Sequence, residues 1–261
     1  MTHKEDSLSE FVRVEVANNV AVVTMTRPQA RNALNYAMSS DMAAAFDDLV
    51  ARSDVSAIVL AAEGPVFSAG MDLKAFARGE KPSIPGRGLA GYTECGLEKP
   101  LIAAIDGPAL AGGFELALAA DMIVASESSS FGLPEVSRGL IAAGGGLLRL
   151  SRSVPYGAVM EIALTGERID AQRAHDLGIV TRLCPSGEAA QAATELAASI
   201  ARNAPLALRL TKKIVNETVG WVDSDTYAKH RDMATAVFAS EDAKEGAAAF
   251  AERRTPVWRG V

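Results

Sequence analysis

The chain has 261 residues, 49% of them hydrophobic, which is enough to bury a large core as one domain or as one domain with a smaller appendage. Its 26 Lys and Arg against 32 Asp and Glu give a net charge of -6 without a basic stripe, which argues against nucleic acid as a partner. No stretch approaches the roughly 20 apolar residues of a membrane span, and no signal or transit peptide is recognisable, so we expect a cytoplasmic protein without a membrane partner.

The first half of the chain alternates short β-rich runs with helical patterns. Two β-rich runs, residues 11–17 and 20–26, flank the turn-forming pair Asn18 and Asn19 and predict a β-hairpin. Apolar residues then recur at helical spacing over residues 36–52, which predicts an amphipathic helix. Three short, continuous apolar runs are typical of buried parallel strands. They cover residues 56–62, 100–105 and 121–126.

The pattern changes twice more along the chain. Residues 78–88 are rich in Gly and Pro, which predicts a surface loop. From Ser186 onward the sequence consists of Ala-rich helical runs without strand signals. We therefore expect an α/β core over residues 1–185 and a helical region over residues 186–261.

One apolar segment, residues 109–124, contains two glycines and a charge where a buried helix is expected. The first N–H groups of a helix have no intrahelical acceptor, and Gly112 and Gly113 would let a ligand approach them. Glu115 follows Gly112 by about one helical turn, so it can face the same space. Such a helix start suits an anion or a developing oxyanion. Alternatively, the glycines serve helix packing and a salt bridge satisfies Glu115.

Two further segments indicate the same chemistry. In FSAGMDLKAF, residues 67–76, small residues directly follow an apolar strand, and their turn could direct a second backbone N–H at the same ligand oxygen. In residues 131–150, Glu135 follows Pro134 within a mostly apolar stretch that also holds a glycine cluster. The sequence therefore predicts two carboxylates and a pair of backbone donors around one ligand.

Metal and disulfide chemistry have no support in the sequence. The histidines His3, His175 and His230 lie far apart and do not form an i, i+4 ligand pair. Cys95 and Cys184 form neither a metal pattern nor a disulfide framework, so we expect two reduced thiols and no metal site.

Taken together, these segments resemble the crotonase family, the enoyl-CoA hydratase/isomerase superfamily, over nearly the whole chain. The resemblance runs from RPQARNALN through LTGERIDAQRAHDLGIV to AFAERRTPVWRG, and several motifs recur in family order. FSAGMDLKA and GGFELALAAD are similar to stretches of bacterial enoyl-CoA hydratases and carnitinyl-CoA dehydratases.

The resemblance implies a fold, an assembly and a ligand. It implies an α/β spiral of repeated ββα units that holds the active site, and a helical region, residues 186–261, that supports a homotrimer or homohexamer and closes the pocket. It also implies an acyl-CoA thioester substrate, of which coenzyme A is a part, and no separate cofactor.

The resemblance also implies the catalytic groups. The family's oxyanion hole of two backbone N–H groups falls on Met71 and Gly112, and its two hydratase glutamates fall on Glu115 and Glu135. We expect Glu115 to deprotonate the water that attacks the β-carbon and Glu135 to deliver a proton to the α-carbon. The implied reaction is reversible syn addition of water to a trans-2-enoyl-CoA.

A coenzyme A path is implied along consecutive residues, with Lys74 near the nucleotide. Its other members are Ala69, Gly70, Met71, Asp72 and Leu73. Arg31 and Arg253 are further candidates for phosphate contacts, and each is equally consistent with a solvated surface charge.

Departures from the family pattern leave the acyl group open. Ala111 replaces the first of three glycines, and we expect Met71 and Phe114 to reshape the acyl pocket. The alternatives are dehydration of carnitinyl-CoA, hydration of a branched or steroid enoyl-CoA, double-bond isomerisation and CoA binding with little activity. The presence of both Glu115 and Glu135 favours a hydratase, because isomerases of the family commonly rely on one acid and a purely structural role gives no reason to bury two.

Overall fold

The computed structural model describes residues 9–218 and 234–261, so His3 and His230 lie outside the described residues. Within those two ranges, no helix is both long and apolar enough to cross a bilayer. The strands are β1 Val12–Ala17, β2 Val20–Met25, β3 Ala57–Ala62, β4 Ser83–Ile84, β5 Gly88–Leu89, β6 Leu101–Ile105, β7 Pro108–Leu110, β8 Met122–Ser126, β9 Ser130–Gly132, β10 Ile169–Asp170 and β11 Arg182–Cys184.

The helices alternate with these strands and then follow them. They are α1 Tyr36–Ala51, α2 Leu73–Ala77, α3 Gly112–Leu118, α4 Gly146–Ser153, α5 Tyr156–Thr165, α6 Ala171–Asp176, α7 Ala189–Ala201, α8 Pro205–Thr218 and α9 Glu241–Glu252. Residues 234–238 are also helical. Two 3₁₀ helices cover Pro28–Ala30 and Pro134–Arg138.

A six-stranded sheet in the order β1-β2-β3-β6-β8-β11 forms the centre of the molecule. β1 and β2 form the predicted hairpin, paired antiparallel with Val12 opposite Met25. Asn18 and Asn19 occupy its turn at φ angles of 52° and 63°, a left-handed conformation that asparagine tolerates. All other neighbouring strands of this sheet are parallel.

Both faces of the parallel strands are covered, which explains their continuous apolar sequence. In β3, Ile58 and Leu60 belong to the larger core, whereas Val59 belongs to a second core on the opposite face. α7 closes that second face with small side chains, including Ala193 and Ala197, which let the helix lie close to the sheet. The three predicted parallel strands and the helix predicted over residues 36–52 are confirmed to within a residue at each end.

A smaller sheet in the order β10-β9-β7 stands beside the central one. Two successive turns of the chain each add one strand to each sheet and then a helix, namely β6-β7-α3 and β8-β9 with its following 3₁₀ helix. Bridges from Ser68 to Ala109 and from Leu34 to Met71 extend the smaller sheet toward the start of the chain. The predicted α/β spiral of repeated ββα units is therefore confirmed.

Lys99 connects the sheet to the end of α1. The side chain is buried, with 5% exposed, and its Nζ donates to the carbonyls of Leu49 at 2.7 Å and Arg52 at 2.5 Å. The last carbonyls of a helix have no intrahelical donor, so this lysine caps α1.

We predict that Lys99→Met lowers the free energy of unfolding by about 1–3 kcal/mol, because two carbonyls lose their donor inside the protein. Urea titration followed by circular dichroism measures this loss. Lys213→Met is the control, since the Lys213 side chain is 58% exposed and lies 4.0 Å from Glu217. Equal midpoints for the two variants would contradict the capping role.

Candidate active site

Glu115 is a buried carboxylate held by backbone donors. It lies in the first turn of α3 with 3% of its surface exposed, and its Oε1 accepts a hydrogen bond of 3.0 Å from the N–H of Gly146. Burial raises the pKa of Glu115, while the N–H groups of Gly146 and Gly144 oppose this effect. The carboxylate is therefore kept out of water but retains partners for its ionised form.

The glycine cluster of residues 144–146 is explained by its contact with Glu115. A Cβ on Gly144 would lie 2.8 Å from Glu115 Oε2, and a Cβ on Gly146 would lie 2.9 Å from Glu115 Cγ. Gly145 between them adopts a φ of 95°, which L side chains rarely adopt. These glycines allow the loop before α4 to lie directly on the carboxylate.

Glu135 provides the second carboxyl group in a different environment. It lies in the 3₁₀ helix Pro134–Arg138 with 9% exposed, and its Oε2 has no hydrogen-bond partner among the described residues. Burial raises the pKa of Glu135, and the negative charge of Glu115 raises it further. The two carboxyls are thus electrostatically coupled, and burial favours the protonated form of each.

The backbone of Met71 directs its N–H away from the strand that it bridges. The N–H of Leu34 donates to Gly70 O at 2.8 Å, and the N–H of Asp72 donates to Leu34 O at 2.9 Å. In a parallel bridge the residue between two such bonds turns its own N–H to the opposite side. The Met71 N–H is consequently available to a ligand oxygen.

The start of α3 lies directly against this segment. A Cβ on Gly70, whose φ is 87°, would lie 2.7 Å from the Ala111 side chain and 2.9 Å from Gly112 N. Gly112 is the first residue of α3, so its N–H has no intrahelical acceptor. The absence of a side chain at Gly70 therefore lets the Met71 and Gly112 segments meet, as an oxyanion hole requires.

Two buried polar residues that sequence reasoning missed hold the Met71 segment in place. Asn32 is fully buried and donates from Nδ2 to the carbonyls of Glu63 and Val66, both at 2.9 Å. Ser68 donates from Oγ to Asn32 O at 2.8 Å and accepts from Gly70 N at 3.2 Å. The signal that could have found them was a pair of polar residues inside apolar motifs, RNAL and FSAG.

Asp72 is a predicted coenzyme A residue, but its side chain is bonded to other residues of the protein. Its carboxylate caps α2 by accepting from Lys74 N at 3.0 Å and Ala75 N at 3.1 Å, and it pairs with Arg27 at 2.9 Å. Although burial opposes ionisation, these hydrogen bonds hold the pKa of Asp72 below its ordinary value. Leu73 and Lys74 are exposed on α2 beside it.

The two candidate phosphate-binding arginines differ in position. Arg31 is exposed, and its carbonyl accepts from Ala69 N at 3.0 Å, so it lies beside the predicted coenzyme A path. Arg253 is exposed after the end of α9, and no hydrogen bond or ion pair among the described residues joins it to residues 69–74. Both assignments stay predictions.

The structure places the side chain of Phe114, which we expected to reshape the acyl pocket, in the core. Its side chain is fully buried against Phe131, with ring centroids 5.3 Å apart, because this position of α3 faces the core. Leu89 lies near the site instead, with its Cδ1 3.2 Å from a Cβ built on Gly112 and 2.6 Å from one built on Gly144. Leu89 therefore forms an apolar wall between the candidate oxyanion hole and the loop that holds Glu115.

Comparisons with known proteins agree with this geometry. A family model described as enoyl-CoA hydratase/isomerase matches residues 15–261. The chain is 41% identical to a carnitinyl-CoA dehydratase of Escherichia coli O157:H7, covering 97% of this chain and 100% of that protein.

Solved structures share both fold and sequence. An enoyl-CoA hydratase from Mycobacterium tuberculosis H37Rv superposes with a TM-score of 0.94 at 51% identity, covering 97% of this chain and 100% of that one. A carnitinyl-CoA hydratase from Mycobacterium avium superposes with a TM-score of 0.77 at 41% identity and the same coverage.

We predict that Gly146→Ala destabilises the protein by about 1–3 kcal/mol, because its Cβ overlaps the Glu115 side chain. Thermal unfolding measures this effect. Gly157→Ala is the matched control, since a Cβ there meets open space within helix α5 and alanine is the better helix former. Equal melting temperatures for the two variants would show that the loop before α4 does not press on the carboxylate.

We predict that Glu135→Gln is more stable than the wild type at pH 8. The folded-state pKa of Glu135 is raised above its ordinary value of 4.5, so its contribution to stability is present below that value and is lost as pH rises through the folded-state pKa. Glutamine removes the loss, and the advantage of the variant should vanish near pH 4.5. Melting temperatures at both pH values test this, and a variant less stable than the wild type at pH 8 contradicts it.

Proposed function

The chain belongs to the enoyl-CoA hydratase/isomerase family, and we propose that the protein is an enoyl-CoA hydratase that adds water reversibly, with syn geometry, to a trans-2-enoyl-CoA. The observation that carries the proposal is the pair of buried, coupled carboxyls, Glu115 and Glu135, in unlike environments. Water addition needs a base and an acid together, and this pair supplies both.

The oxyanion hole activates the substrate. The N–H groups of Met71 and Gly112 donate to the thioester carbonyl, which withdraws electrons from the conjugated double bond and stabilises the enolate that forms. Removing one such donor typically costs about 3 kcal/mol, or 10² to 10³ in rate. Because Gly70 and Gly112 are in contact, the backbone fixes this geometry before the substrate arrives.

The two carboxyls act on opposite carbons of the double bond. Glu115, with backbone N–H donors, is suited to hold a water molecule and take a proton from it as its oxygen attacks the β-carbon. Glu135, whose Oε2 has no hydrogen-bond partner within residues 9–218 and 234–261, is suited to carry the proton that passes to the α-carbon. In the reverse direction the ionised Glu135 removes the α-proton, and the hydroxyl takes a proton from Glu115 and leaves as water.

The coenzyme A portion is proposed to follow the segment that ends in α2. The backbone of Ala69, Gly70 and Asp72 lines this path, with Leu73 and Lys74 exposed at its outer end. Because the Asp72 side chain is engaged with Arg27, substrate contacts there come from the backbone. The charge of Lys74, together with Arg31, suits the phosphates.

Dehydration of carnitinyl-CoA is the second candidate, favoured by the 41% identity to a carnitinyl-CoA dehydratase over nearly the full length. That acyl group carries a quaternary ammonium, which proteins commonly recognise with aromatic cages. The aliphatic side chains of Leu34 and Leu89 lie 3.5 Å and 3.2 Å from a Cβ built on Gly112. Their apolar character supports a neutral acyl group and hence the enoyl-CoA hydratase.

The test is loss of absorbance by the conjugated enoyl thioester across a panel of substrates. The panel contains trans-2-enoyl-CoAs from short to long, crotonobetainyl-CoA and a steroid enoyl-CoA. We predict that Glu115→Gln and Glu135→Gln each lower kcat/KM by about 10² to 10⁴. Glu161→Gln is the control, because the Glu161 side chain is 66% exposed on α5.

Each outcome has a distinct meaning. Full activity in both site variants would overturn the two-acid mechanism. Preference for crotonobetainyl-CoA would favour the carnitinyl-CoA dehydratase, and migration of a double bond without hydration would indicate an isomerase. Acyl-CoA binding without turnover of any substrate would indicate a non-catalytic member of the family.

A further inference from the structure

Arg149 is a partly buried cation that the hydration mechanism does not use. It lies in α4, where its N–H donates to Gly145 O at 3.1 Å, within the glycine cluster that covers Glu115. Burial lowers the pKa of the Arg149 guanidinium, while its interactions with Tyr92 and Glu115 oppose this effect. A partly buried guanidinium loses hydration, and hydrogen bonds or opposite charges must offset that cost in free energy.

The Arg149 side chain donates to Thr93, which lies on the same turn as Leu89. Arg149 Nη2 donates to Thr93 O at 2.5 Å, and Thr93 Oγ1 in turn accepts from Leu89 N at 2.8 Å. The Leu89 side chain lies between Gly112 and Gly144. The guanidinium therefore connects α4 to the turn that carries Leu89, and its Nη1 lies against Gly145 in the loop on Glu115.

Arg149 also acts on Glu115 through space. It makes no direct ion pair with Glu115 among the described residues, yet its charge opposes the burial that raises the pKa of Glu115. The negative charge of Glu115 in turn raises the pKa of Glu135, and the positive charge of Arg138 opposes that rise. Tyr92 and Arg152 face Arg149 from the turn and from α4.

We propose that Arg149 is a positioning residue of the hydration site, whose guanidinium supplies the positive charge that faces Glu115 and ties the Leu89 wall to the loop that holds this carboxylate. It touches neither water nor substrate in this role. The inference rests on the proposed function for its effect on turnover, and its effect on the titration of Glu115 is independent of any reaction.

Two variants separate the charge from the hydrogen bond. Arg149→Met removes both, whereas Arg149→Lys keeps a positive charge but loses the planar donor geometry. Arg152→Met is the control, because Arg152 is an exposed arginine one helical turn further along α4.

The first measurement is the titration of the Glu115 carboxyl in the free protein, by ¹³C NMR of labelled glutamate with Glu115→Gln to assign the signal. We expect the titration midpoint to move to higher pH in Arg149→Met, to move less in Arg149→Lys, and to stay unchanged in Arg152→Met. An unchanged midpoint in Arg149→Met would overturn the proposal.

The second measurement is the pH dependence of hydration. A higher pKa protonates the Glu115 base at low pH, so the loss of kcat/KM in Arg149→Met should be larger at pH 6 than at pH 8. An equal loss at both pH values would mean a purely structural role. If Arg149→Met does not fold, Arg149→Gln replaces it in both measurements.

A failure of the proposed function has a different signature. A wild type that hydrates no substrate, together with a Glu115 midpoint that still depends on Arg149, would refute the hydratase and leave the electrostatic role of Arg149 standing.

Discussion

The rest of the site depends on one constraint, the burial of the Glu115 carboxylate beneath backbone that has no side chains. A carboxylate removed from water loses hydration, which costs several kcal/mol unless hydrogen bonds replace it. Gly144 and Gly146 meet this requirement together, because neither could carry a Cβ without overlapping Glu115, and because Gly146 donates directly to it. The loop before α4 is therefore shaped around the charge. Any backbone shift there changes the proton affinity of the candidate base.

Unequal surroundings then divide the chemistry between two identical side chains. Glu115 has two backbone donors and a nearby cation, whereas Glu135 has an oxygen that finds no partner in the described part of the chain and a neighbouring negative charge. Both pKa values rise, and the ionised form is supported by two backbone N–H groups and Arg149 at Glu115, and by one backbone N–H and Arg138 at Glu135. Two buried carboxyls with raised pKa values lower the stability of the folded protein at neutral pH, as is expected where a reactive site reduces stability. The parallel sheet, covered on both faces, supplies the rigid support that such a site needs.

The oxyanion hole has an equally local origin. A parallel bridge turns the Met71 N–H outward, and the start of α3 leaves the Gly112 N–H without an acceptor. The two segments can meet because Gly70 has no side chain. Hydrogen bonds involving Asn32 and Ser68 hold the Met71 segment in place. Ala111 adopts a φ of 51°, a conformation unfavourable for alanine, which indicates that the surrounding contacts override local preference at this position.

The sequence by itself determined the order of elements and the identity of the catalytic candidates, because periodicity, turn residues and motifs are local properties of the chain. The hairpin, α1, the parallel strands, the glycine-start helix with Glu115, and Glu135 were all readable in this way. Only the tertiary structure decided which side chains share the site. It placed Phe114 in the core, brought Leu89 to Gly112, wrapped residues 144–146 around Glu115 and gave Arg149 its position. Those outcomes depend on contacts between segments distant in sequence, and the direction of a side chain and the solvation of a charge are set by such contacts rather than by neighbours along the chain.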